Sequence, residues 1–495
     1  MRILYYNWAD YRDAAGRGGG VTVYQRTLMV EFARRSGVEA TFLCAGLAHS
    51  LKPGPPRWER LRNHPDAPGE RRFQMIDTLP LSPAHHAFGC PEQVRHALTE
   101  AAFARFVEAE GPFDVVHFNS LEGLPAAVLA LRSRWPATRF VVALHNYYPF
   151  CPQVNLWQSE RAHCSDFEHG RACVSCLPVR RDPARLRVAY GAARALERVG
   201  LRRGNAGYDQ VVQPLARLGA ETLRRASDRR RARVAEAVAL SEPEPSPSAA
   251  AGFAERRAAF VEMLNTYADS VLAVSDRTAE IARGFGICPA HLTVSRIGTD
   301  HAELFAKTQP APRLPAPDGT LGLAFLGYMR RDKGFFFLLN TLEAMAPDLL
   351  RRLRLTIAAA PRDPATAARV EALALQLADL RFFKGYRRDE LDEILAGVDL
   401  GIVPSLWEDN LPQVAIELHA RHIPLLTSDR GGARELGNCN RLVFPAGNAA
   451  ALEARLRGIL ERGLDLTAYW HGALTPISPA THADALLRLY RSLMR

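Results

Sequence analysis

The repeated alternation of β-like runs with helix-like segments limits the folds open to this 495-residue chain more than any other feature. In the first half, the β-like runs occupy residues 2–8, 40–44, 113–119, 139–146, 270–275 and 292–297, and helical segments lie at about 21–35 and 124–134. A second series of β-like runs follows at residues 321–327, 352–359, 380–385, 399–405, 423–429 and 441–447. Such alternation is typical of βαβ units. The sequence therefore predicts an α/β fold with two doubly wound, Rossmann-like parallel-sheet domains that face each other across a cleft.

Composition marks the boundaries between these units. Prolines at positions 310, 312, 315 and 317 predict a linker. A segment at about 150–265 interrupts the first domain, and its arginine-rich part has helical character. The predicted organisation is a first domain at 1–300, a linker at 301–318, a second domain at 319–475 and a C-terminal helix at 476–495 that could pack back on the first domain.

Positive charge is concentrated in the insertion. The chain has 63 basic and 53 acidic residues, and residues 180–235 alone hold 15 arginines against five acidic residues. Such a segment can bind nucleic acid, an anionic membrane surface or an acidic polymer. Because Tyr190 and Tyr208 are its only aromatic residues, it lacks the interleaved stacking pattern of nucleic-acid binders. We expect an anionic lipid surface, and no nucleic acid, as its partner.

The sequence also bears on location. No apolar run reaches the roughly 18 residues that a membrane-spanning helix needs. The first residues enter a strand-like run without the apolar stretch and cleavage site of a secretory signal. We expect a cytoplasmic protein that can associate peripherally with the inner membrane face.

Each domain has a glycine-containing loop between a β-like run and a helix. Residues 18–20 are three glycines, which let a ligand approach the backbone near a helix N-terminus, although a flexible turn gives the same pattern. In the second domain, Gly327 is followed by Arg330 and Lys333, in a chain with only four lysines. Two cations beside a helix N-terminus suit a diphosphate. A solvated basic turn is the alternative interpretation.

Two carboxylates and two histidines also follow predicted strands. Asp409 lies in a loop and Glu417 lies eight residues later, on the helix that begins near Pro412. Carboxylates placed in this way can bind pairs of sugar or ribose hydroxyls, and a capped, solvent-facing helix start is the alternative. His117 and His145 each end a strand, where a histidine can exchange a proton or bind a hydroxyl, or can serve only in packing.

Half of the eight cysteines fall within 26 residues, with the spacing C-x12-C-x8-C-x2-C. They are Cys151, Cys164, Cys173 and Cys176. In a cytosolic protein, clustered cysteines favour a metal over disulfides, and four thiolates could close a structural zinc site. Free thiols and disulfides remain the alternatives. A closed site of this kind would stabilise the insertion without taking part in catalysis.

Five motifs of the second domain resemble, in the same order, those of the retaining glycosyltransferases of family 4. This family has the GT-B fold and includes bacterial enzymes that build polysaccharides and lipid-linked saccharides. The motifs are Gly327 with Lys333-Gly334, Phe383-Lys384-Gly385, Pro404-Ser405, Asp409 with Glu417, and Ser428-Asp429-Arg430-Gly431-Gly432. The resemblance is strongest over 320–450 and extends to the glycine loop, His145 and residues 271–275. It covers residues 177–265 poorly.

The resemblance implies that the second domain binds a nucleotide-diphosphate sugar and that the first domain binds an acceptor. It implies that Glu417 binds the nucleotide ribose and that Lys333 binds the diphosphate. Asp409, which stands where the family usually has glutamate, would contact the donor sugar together with the backbone amides of Asn410 and Leu411. Further donor contacts are implied at Gly327, Gly385 and Tyr386.

The resemblance also identifies a reacting centre. His145 matches the family's histidine at this centre, and Gly19 and Gly20 match the loop at the cleft. The family's usual arginine after the glycine is replaced by Tyr328, and Arg330 could substitute for it. The family has no D-x-D metal site, and none follows a strand here. We therefore expect that catalysis requires no cofactor. A zinc ion at the four cysteines would be structural.

The predicted function is therefore a retaining, metal-independent transfer of a hexose from a nucleotide-diphosphate sugar to a hydroxyl of a saccharide or lipid-linked acceptor. Two alternatives remain open. One is another GT-B enzyme, such as a nucleotide-sugar epimerase or a phosphorylase. The other is a non-enzymatic protein that binds anionic polymers or membranes through residues 180–235.

Overall fold

The structure of the chain is a computed structural model that describes residues 1–13, 16–62, 69–177, 181–201, 207, 210 and 247–495. It has two lobes, and each is built on a mainly parallel sheet with helices between successive strands. The predicted α/β fold with two doubly wound units is confirmed.

The first lobe contains an eight-stranded sheet within the described residues. The strands of this lobe are β1 (Arg2–Tyr6), β2 (Glu39–Ala48), β3 (Arg57–Arg60), β4 (Arg71–Ile76), β5 (Val115–Phe118), β6 (Arg139–Leu144), β7 (Trp157–Gln158), β8 (Ala162–His163), β9 (Ser270–Ala273) and β10 (Leu292–Val294). The sheet has the order β10-β9-β6-β5-β1-β2-β4-β3, in which only β3 and β4 pair antiparallel, while β7 and β8 form a separate hairpin. Strand β1 is central and almost wholly buried, as expected for a parallel strand covered on both faces.

The first lobe and its insertion carry six described α-helices. They are α1 (Gly19–Ala33), α2 (Ala97–Glu110), α3 (Arg171–Val174), α4 (Pro183–Arg198), α5 (Pro247–Tyr267) and α6 (Asp276–Gly284). Short 3₁₀ helices lie at Ala84–His86, Pro91–Gln93, Ala126–Arg134, Glu168–Gly170 and Pro289–His291.

The helical segment predicted at about 124–134 is present as the 3₁₀ helix Ala126–Arg134. Hydrogen bonds from the Val128 amide to Pro125 and from Trp135 to Arg132 span three residues instead of four.

The second lobe contains a six-stranded parallel sheet. The strands of this lobe are β11 (Arg313–Leu314), β12 (Leu321–Tyr328), β13 (Leu353–Ala360), β14 (Asp379–Phe383), β15 (Leu400–Val403), β16 (Leu425–Ser428), β17 (Val443–Phe444) and β18 (Leu464–Asp465). The sheet has the order β14-β13-β12-β15-β16-β17, and β11 pairs antiparallel with β18 outside it. The proline-rich linker therefore contributes a strand to the second lobe.

The helices that follow the first lobe in the chain are mostly short. They are α7 (Ala302–Lys307), α8 (Phe335–Ala344), α9 (Pro347–Leu350), α10 (Pro364–Ala372), α11 (Leu391–Ile394), α12 (Gln413–His419), α13 (Ala449–Arg462), α14 (Thr467–His471) and α15 (Pro479–Met494). Short 3₁₀ helices lie at Leu373–Leu375, Arg388–Glu390, Ala433–Glu435 and Asn440–Leu442.

Strand order fixes where a ligand can bind. The order reverses between β1 and β5 in the first sheet and between β12 and β15 in the second. At such a point the loops at the carboxyl ends of neighbouring strands diverge and leave a crevice. The loops after β12 and β15 carry the motifs singled out in the sequence.

The C-terminal helix α15 packs on the first lobe. The Tyr490 hydroxyl lies 2.6 Å from the Tyr5 hydroxyl of β1 and 2.6 Å from His117 Nδ1 of β5. His482 Nε2 lies 2.8 Å from the Tyr24 hydroxyl of α1. These buried polar contacts, within an apolar cluster that includes residues of both lobes, tie the end of the chain to the first sheet.

Candidate functional site

A cavity of about 650 Å³ lies between the lobes, at the carboxyl ends of both sheets. It brings together every predicted catalytic and donor-binding residue apart from Arg330. These lining residues are Gly19, Gly20, His145, Gly327, Lys333, Gly385, Tyr386, Asp409, Asn410, Leu411 and Glu417. The sequence placed them on seven separate segments, so their convergence comes from the two facing sheets.

Lys333 and Asp409 form an ion pair inside this cavity. The Lys333 ammonium donates to Asp409 Oδ2 over 2.5 Å and lies 5.0 Å from the centre of the Trp407 ring. The following Gly334 has φ +73°, and a Cβ there would lie 1.7 Å from the Pro404 carbonyl oxygen. This close approach requires glycine. It places the loop after β12 in contact with the residue that follows β15.

The loop that carries Asp409 is held by two further glycines, Gly431 and Gly432. The Gly432 amide donates to the Asp409 carbonyl over 2.9 Å, and a Cβ on Gly431 would lie 2.0 Å from the same oxygen. Within the described residues, the amides of Asn410 and Leu411 have no hydrogen-bond acceptor. Buried amides without an acceptor can serve a ligand that enters the cavity.

Glu417 is buried on helix α12 and presents one oxygen without a partner. Its Oε1 lies 3.2 Å from Arg388 Nη2, whereas its buried Oε2 has no hydrogen-bond partner among the described residues. Burial raises the pKa of Glu417, and the positive charges of Arg388 and Arg421 oppose this shift. An unsatisfied buried carboxylate oxygen that lines a cavity is suited to accept a hydrogen bond from a hydroxyl.

Gln413, supported by Arg388, connects the two lobes, a role that the sequence did not predict. Arg388 Nη2 donates to Gln413 Oε1 over 2.7 Å, and Gln413 Nε2 donates to the Gly20 carbonyl over 2.8 Å. A Cβ on Gly20 would lie 3.4 Å from the Gln413 side chain, which is an ordinary van der Waals distance, so this contact does not itself require glycine. The glycine loop is thereby bound to the start of α12.

His145 follows β6 and is half-buried in the cavity wall. Its ring centre lies 4.9 Å from that of Tyr24, and its Nε2 has no hydrogen-bond partner among the described residues. Burial lowers the pKa of His145 to about 3, with a smaller contribution from His482. The imidazole is therefore neutral near pH 7 and can donate or accept a hydrogen bond. By contrast, His117 does not line the cavity and is bound to Tyr490.

The structure does not place Arg330 in the cavity. Its Nε and Nη2 donate to the two oxygens of Asp332 over 2.9 and 2.7 Å, and its side chain is 59% exposed. The sequence pattern of two cations led us to pair Arg330 with Lys333, but the intervening Asp332 binds the guanidinium. Tyr328, in the position of the family's usual arginine, does line the cavity.

The cysteine cluster does not form a ready-made metal site. Within the described residues, no group of three or more His, Cys, Asp or Glu side chains is arranged to hold a metal ion. Instead, the Cys176 thiol donates to Gln153 Oε1 over 3.0 Å and that of Cys164 faces the Asp166 carbonyl at 3.6 Å. These residues do not fit a zinc ion in this arrangement, and zinc binding stays a prediction.

Part of the arginine-rich segment packs on the first lobe. On α4, the Tyr190 hydroxyl lies 2.6 Å from His86 Nδ1, and Arg194 Nη2 lies 2.7 Å from Glu59. Most of residues 202–235 lies outside the described residues, so the expected lipid contact of 180–235 stays a prediction. No described helix is long and apolar enough to cross a membrane.

Comparisons with known proteins agree with this arrangement. Residues 320–462 match the sequence pattern of the family described as Glycosyl transferases group 1. A comparison with curated protein sequences finds no significant match.

Several solved structures share the whole fold. Sucrose-phosphate synthase from Thermosynechococcus elongatus is 16% identical with a TM-score of 0.55, covering 100% of this chain and 99% of that chain. Anabaena Alr3699/HepE, solved in complex with UDP, is 12% identical with a TM-score of 0.55, covering 99% of this chain and 100% of that chain. A UDP-forming trehalose-phosphate synthase from Burkholderia xenovorans is 13% identical with a TM-score of 0.51, covering 100% and 99%.

At these identities the likeness shows the fold alone, and the fold is that of the GT-B glycosyltransferases. The GT-B fold implied by the sequence is thereby confirmed. Within this GT-B architecture, the match to the Glycosyl transferases group 1 pattern lies in the second lobe.

Proposed function

We propose that the chain transfers a hexose from a UDP sugar to a hydroxyl of a saccharide or lipid-linked acceptor, with retention of the anomeric configuration, as in family 4. The observation that carries the proposal is the single cavity that holds both the unsatisfied Glu417 carboxylate and the Lys333 ammonium. One extended donor with a ribose at one end and a diphosphate further along meets both groups. The UDP bound to Anabaena Alr3699/HepE, which shares the fold, supports uridine as the base.

Each residue then has a role that its surroundings support. Glu417 accepts hydrogen bonds from the ribose hydroxyls. Lys333 turns from Asp409 to the diphosphate and stabilises the charge that develops on the leaving group, a role that needs no bound metal. Asp409 and the amides of Asn410 and Leu411 hold the donor sugar, because they line the cavity beside Lys333.

The acceptor approaches from the first lobe. The neutral His145 imidazole can hydrogen-bond a hydroxyl at the reacting centre, while Gly19 and Gly20 allow close approach of the loop to the ligand. The acceptor hydroxyl attacks the anomeric carbon on the face that the diphosphate leaves, and the departing phosphate oxygen accepts the hydroxyl proton. Contacts between the lobes keep water out during this step.

We place this reaction on a polysaccharide or lipid-linked acceptor at the inner membrane face. The concentration of arginine at residues 180–235 supports an anionic surface as a partner. This part of the proposal is separable from the donor chemistry, because none of the described residues of the arginine-rich segment lines the cavity.

The test is a donor panel with the full chain. Purified protein is incubated with UDP, GDP and ADP sugars, with and without saccharide acceptors, in the presence of EDTA. We expect nucleotide release from a UDP sugar that depends on Glu417, and NMR of the product should show a retained anomeric configuration. Conversion of the donor sugar without any acceptor would instead indicate an epimerase. No binding and no turnover of any donor would refute the proposed function.

A further inference from the structure

A partly buried ion pair crosses the cleft beside the cavity. Arg277, on α6 of the first lobe, donates from Nη2 and Nε to the two oxygens of Glu408 in the second lobe, over 2.8 and 3.0 Å. Glu408 directly precedes Asp409 and its side chain is fully buried. Bidentate pairing of an arginine with a carboxylate fixes the orientation of both groups.

Glu408 remains charged in this buried position. Burial alone would raise the pKa of Glu408, but the hydrogen bonds and charge of Arg277, with help from Gly431 and Arg430, lower it to about 2. Arg430 Nη1 lies 3.2 Å from Oε1, and the Gly431 amide donates to Oε2 over 3.0 Å. A buried carboxylate needs such partners, and loss of one leaves a costly unpaired charge.

The same network holds the loop that carries Asp409. Gly431 binds the Glu408 carboxylate, and the adjacent Gly432 amide donates to the Asp409 carbonyl over 2.9 Å. The loop of residues 408–410 is therefore fixed at two consecutive residues. Arg430 and Gly431 belong to the same lobe as this loop, whereas Arg277 belongs to the other lobe.

Two more contacts at the same place cross between the lobes. Glu435 accepts hydrogen bonds from the amides of Asp276 and Arg277, over 2.9 and 2.6 Å, at the first turn of α6. Asn410 Nδ2 lies 3.2 Å from the Leu144 carbonyl and 3.3 Å from Thr278 Oγ1. The start of α6 therefore contacts the second lobe at Glu435 and at Asn410, in addition to Glu408.

We propose that Arg277 is a positioning residue, whose ion pair with Glu408 fixes the Asp409 loop for the donor sugar when the lobes close. The catalytic consequence rests on the proposed function, whereas the effect on the loop does not. Arg430 cannot replace Arg277, because it reaches Glu408 from the same lobe and contributes a single nitrogen within 3.2 Å. Closure and completion of the sugar site are thereby coupled through the start of α6, where Arg277 supplies the bidentate ion pair.

The first test measures the loop without any donor. Hydrogen–deuterium exchange of the full chain is compared between wild type, Arg277→Ala, Arg277→Lys and the control Arg283→Ala, an exposed arginine on the same helix. We expect the peptides that contain Asp409 and Gly431 to exchange at least about tenfold faster in Arg277→Ala. We expect a smaller change in Arg277→Lys and none in Arg283→Ala. Unchanged exchange of these peptides in a folded Arg277→Ala protein would overturn the proposal.

The second test separates nucleotide binding from sugar positioning. UDP affinity depends on Glu417 and Lys333, so Arg277→Ala should bind UDP within about twofold of wild type. Its kcat with the UDP sugar identified in the donor panel should fall about 10- to 100-fold, with partial recovery in Arg277→Lys. Glu408→Gln should have a similar effect, and the double variant should be no worse than the more affected single variant.

The outcomes of the two tests are distinguishable. If wild type binds no nucleotide and turns over no donor, the proposed function fails, and hydrogen exchange still decides the role of Arg277 in the loop. If wild type is active and Arg277→Ala keeps the wild-type kcat, the positioning role fails while the proposed function stands.

Discussion

The Lys333 ammonium lies 2.5 Å from Asp409 Oδ2, so the cation proposed for the diphosphate is bound to the carboxylate proposed for the donor sugar. The pair joins the loop after β12 to the loop after β15, on either side of the point where strand order reverses. Lys333 is 25% exposed in its side chain and Asp409 is 9% exposed. Asp409 therefore holds the Lys333 ammonium in the cavity, where the diphosphate of the proposed donor would compete with this carboxylate for it.

Replacing Lys333 with alanine should slow transfer more than it weakens nucleotide binding. The ammonium stabilises charge that develops on the leaving diphosphate, and loss of one such group costs about 10²- to 10³-fold in kcat. The measurement is steady-state turnover of the UDP sugar, with Lys307→Ala as the control, because Lys307 pairs with Glu303 far from the cavity. A kcat equal to that of wild type would contradict the role of Lys333.

Changing Glu417 to glutamine should weaken UDP binding. The carboxylate would lose charge-assisted hydrogen bonds to the ribose worth about 1.5–3 kcal/mol, which corresponds to roughly 10- to 100-fold in Kd. Isothermal titration calorimetry with UDP measures this directly, and Glu371→Gln, on the exposed surface, is the control. Equal affinities for the variant and wild type would remove Glu417 from the nucleotide site.

Substitution of two glycines in the second lobe should distinguish the cost of backbone strain from the cost of a steric clash. Gly319 and Gly334 have φ values of +75° and +73°, but only the Cβ at Gly334 would meet a backbone oxygen, at 1.7 Å. Gly319→Ala should cost about 1–2 kcal/mol in the free energy of unfolding, from backbone strain alone. Gly334→Ala should cost roughly 3 kcal/mol or more and should also weaken UDP binding, because the Lys333 loop must move. Urea unfolding measures the free energies of unfolding, and calorimetry measures UDP affinity. Equal losses of unfolding free energy in the two variants would contradict the predicted clash at Gly334.

The neutral imidazole of His145 should make the protein less stable in mild acid. Its pKa is lowered to about 3 by burial, whereas the unfolded chain takes up a proton near pH 6.5. Below that pH the unfolded state binds more protons, so the free energy of unfolding falls as the pH is lowered from 7 to 5, by about 2 kcal/mol for this residue. Between pH 7 and 5, the free energy of unfolding of His145→Asn should fall by about 2 kcal/mol less than that of wild type. Urea unfolding at the two pH values measures this difference.

The control for this prediction is His471→Asn, because His471 is exposed on α14. That variant should follow the wild-type pH dependence. If His145→Asn and wild type lose equal free energy between pH 7 and 5, His145 is not held neutral by burial.

Residues that end parallel strands could be placed from the sequence. Lys333 and Asp409 follow β12 and β15, and parallel strands bring their carboxyl ends to one edge, so their proximity follows from the strand pattern. Glu417 could be placed for the same reason, because α12 begins directly after the β15 loop. Gly19 and Gly20, at the start of α1, meet them only through the facing arrangement of the two lobes, which the alternation of strands and helices predicted.

Contacts between distant segments could not be placed in this way. Arg388 reaches Glu417 from the 3₁₀ helix after β14, and the run of charges around it has the pattern of an exposed turn. Arg277 and Glu408 are 131 residues apart, and nothing in either local pattern points to the other. Arg330 was misplaced because charge spacing alone does not tell which acid, here Asp332, binds a cation.

The most direct measurement of the central claim is a crystal structure of the full chain with UDP. The account predicts the ribose hydroxyls within hydrogen-bond distance of Glu417 and the diphosphate within reach of the Lys333 ammonium, in the cavity between the lobes. A nucleotide bound outside this cavity, or one that touches neither residue, would contradict it.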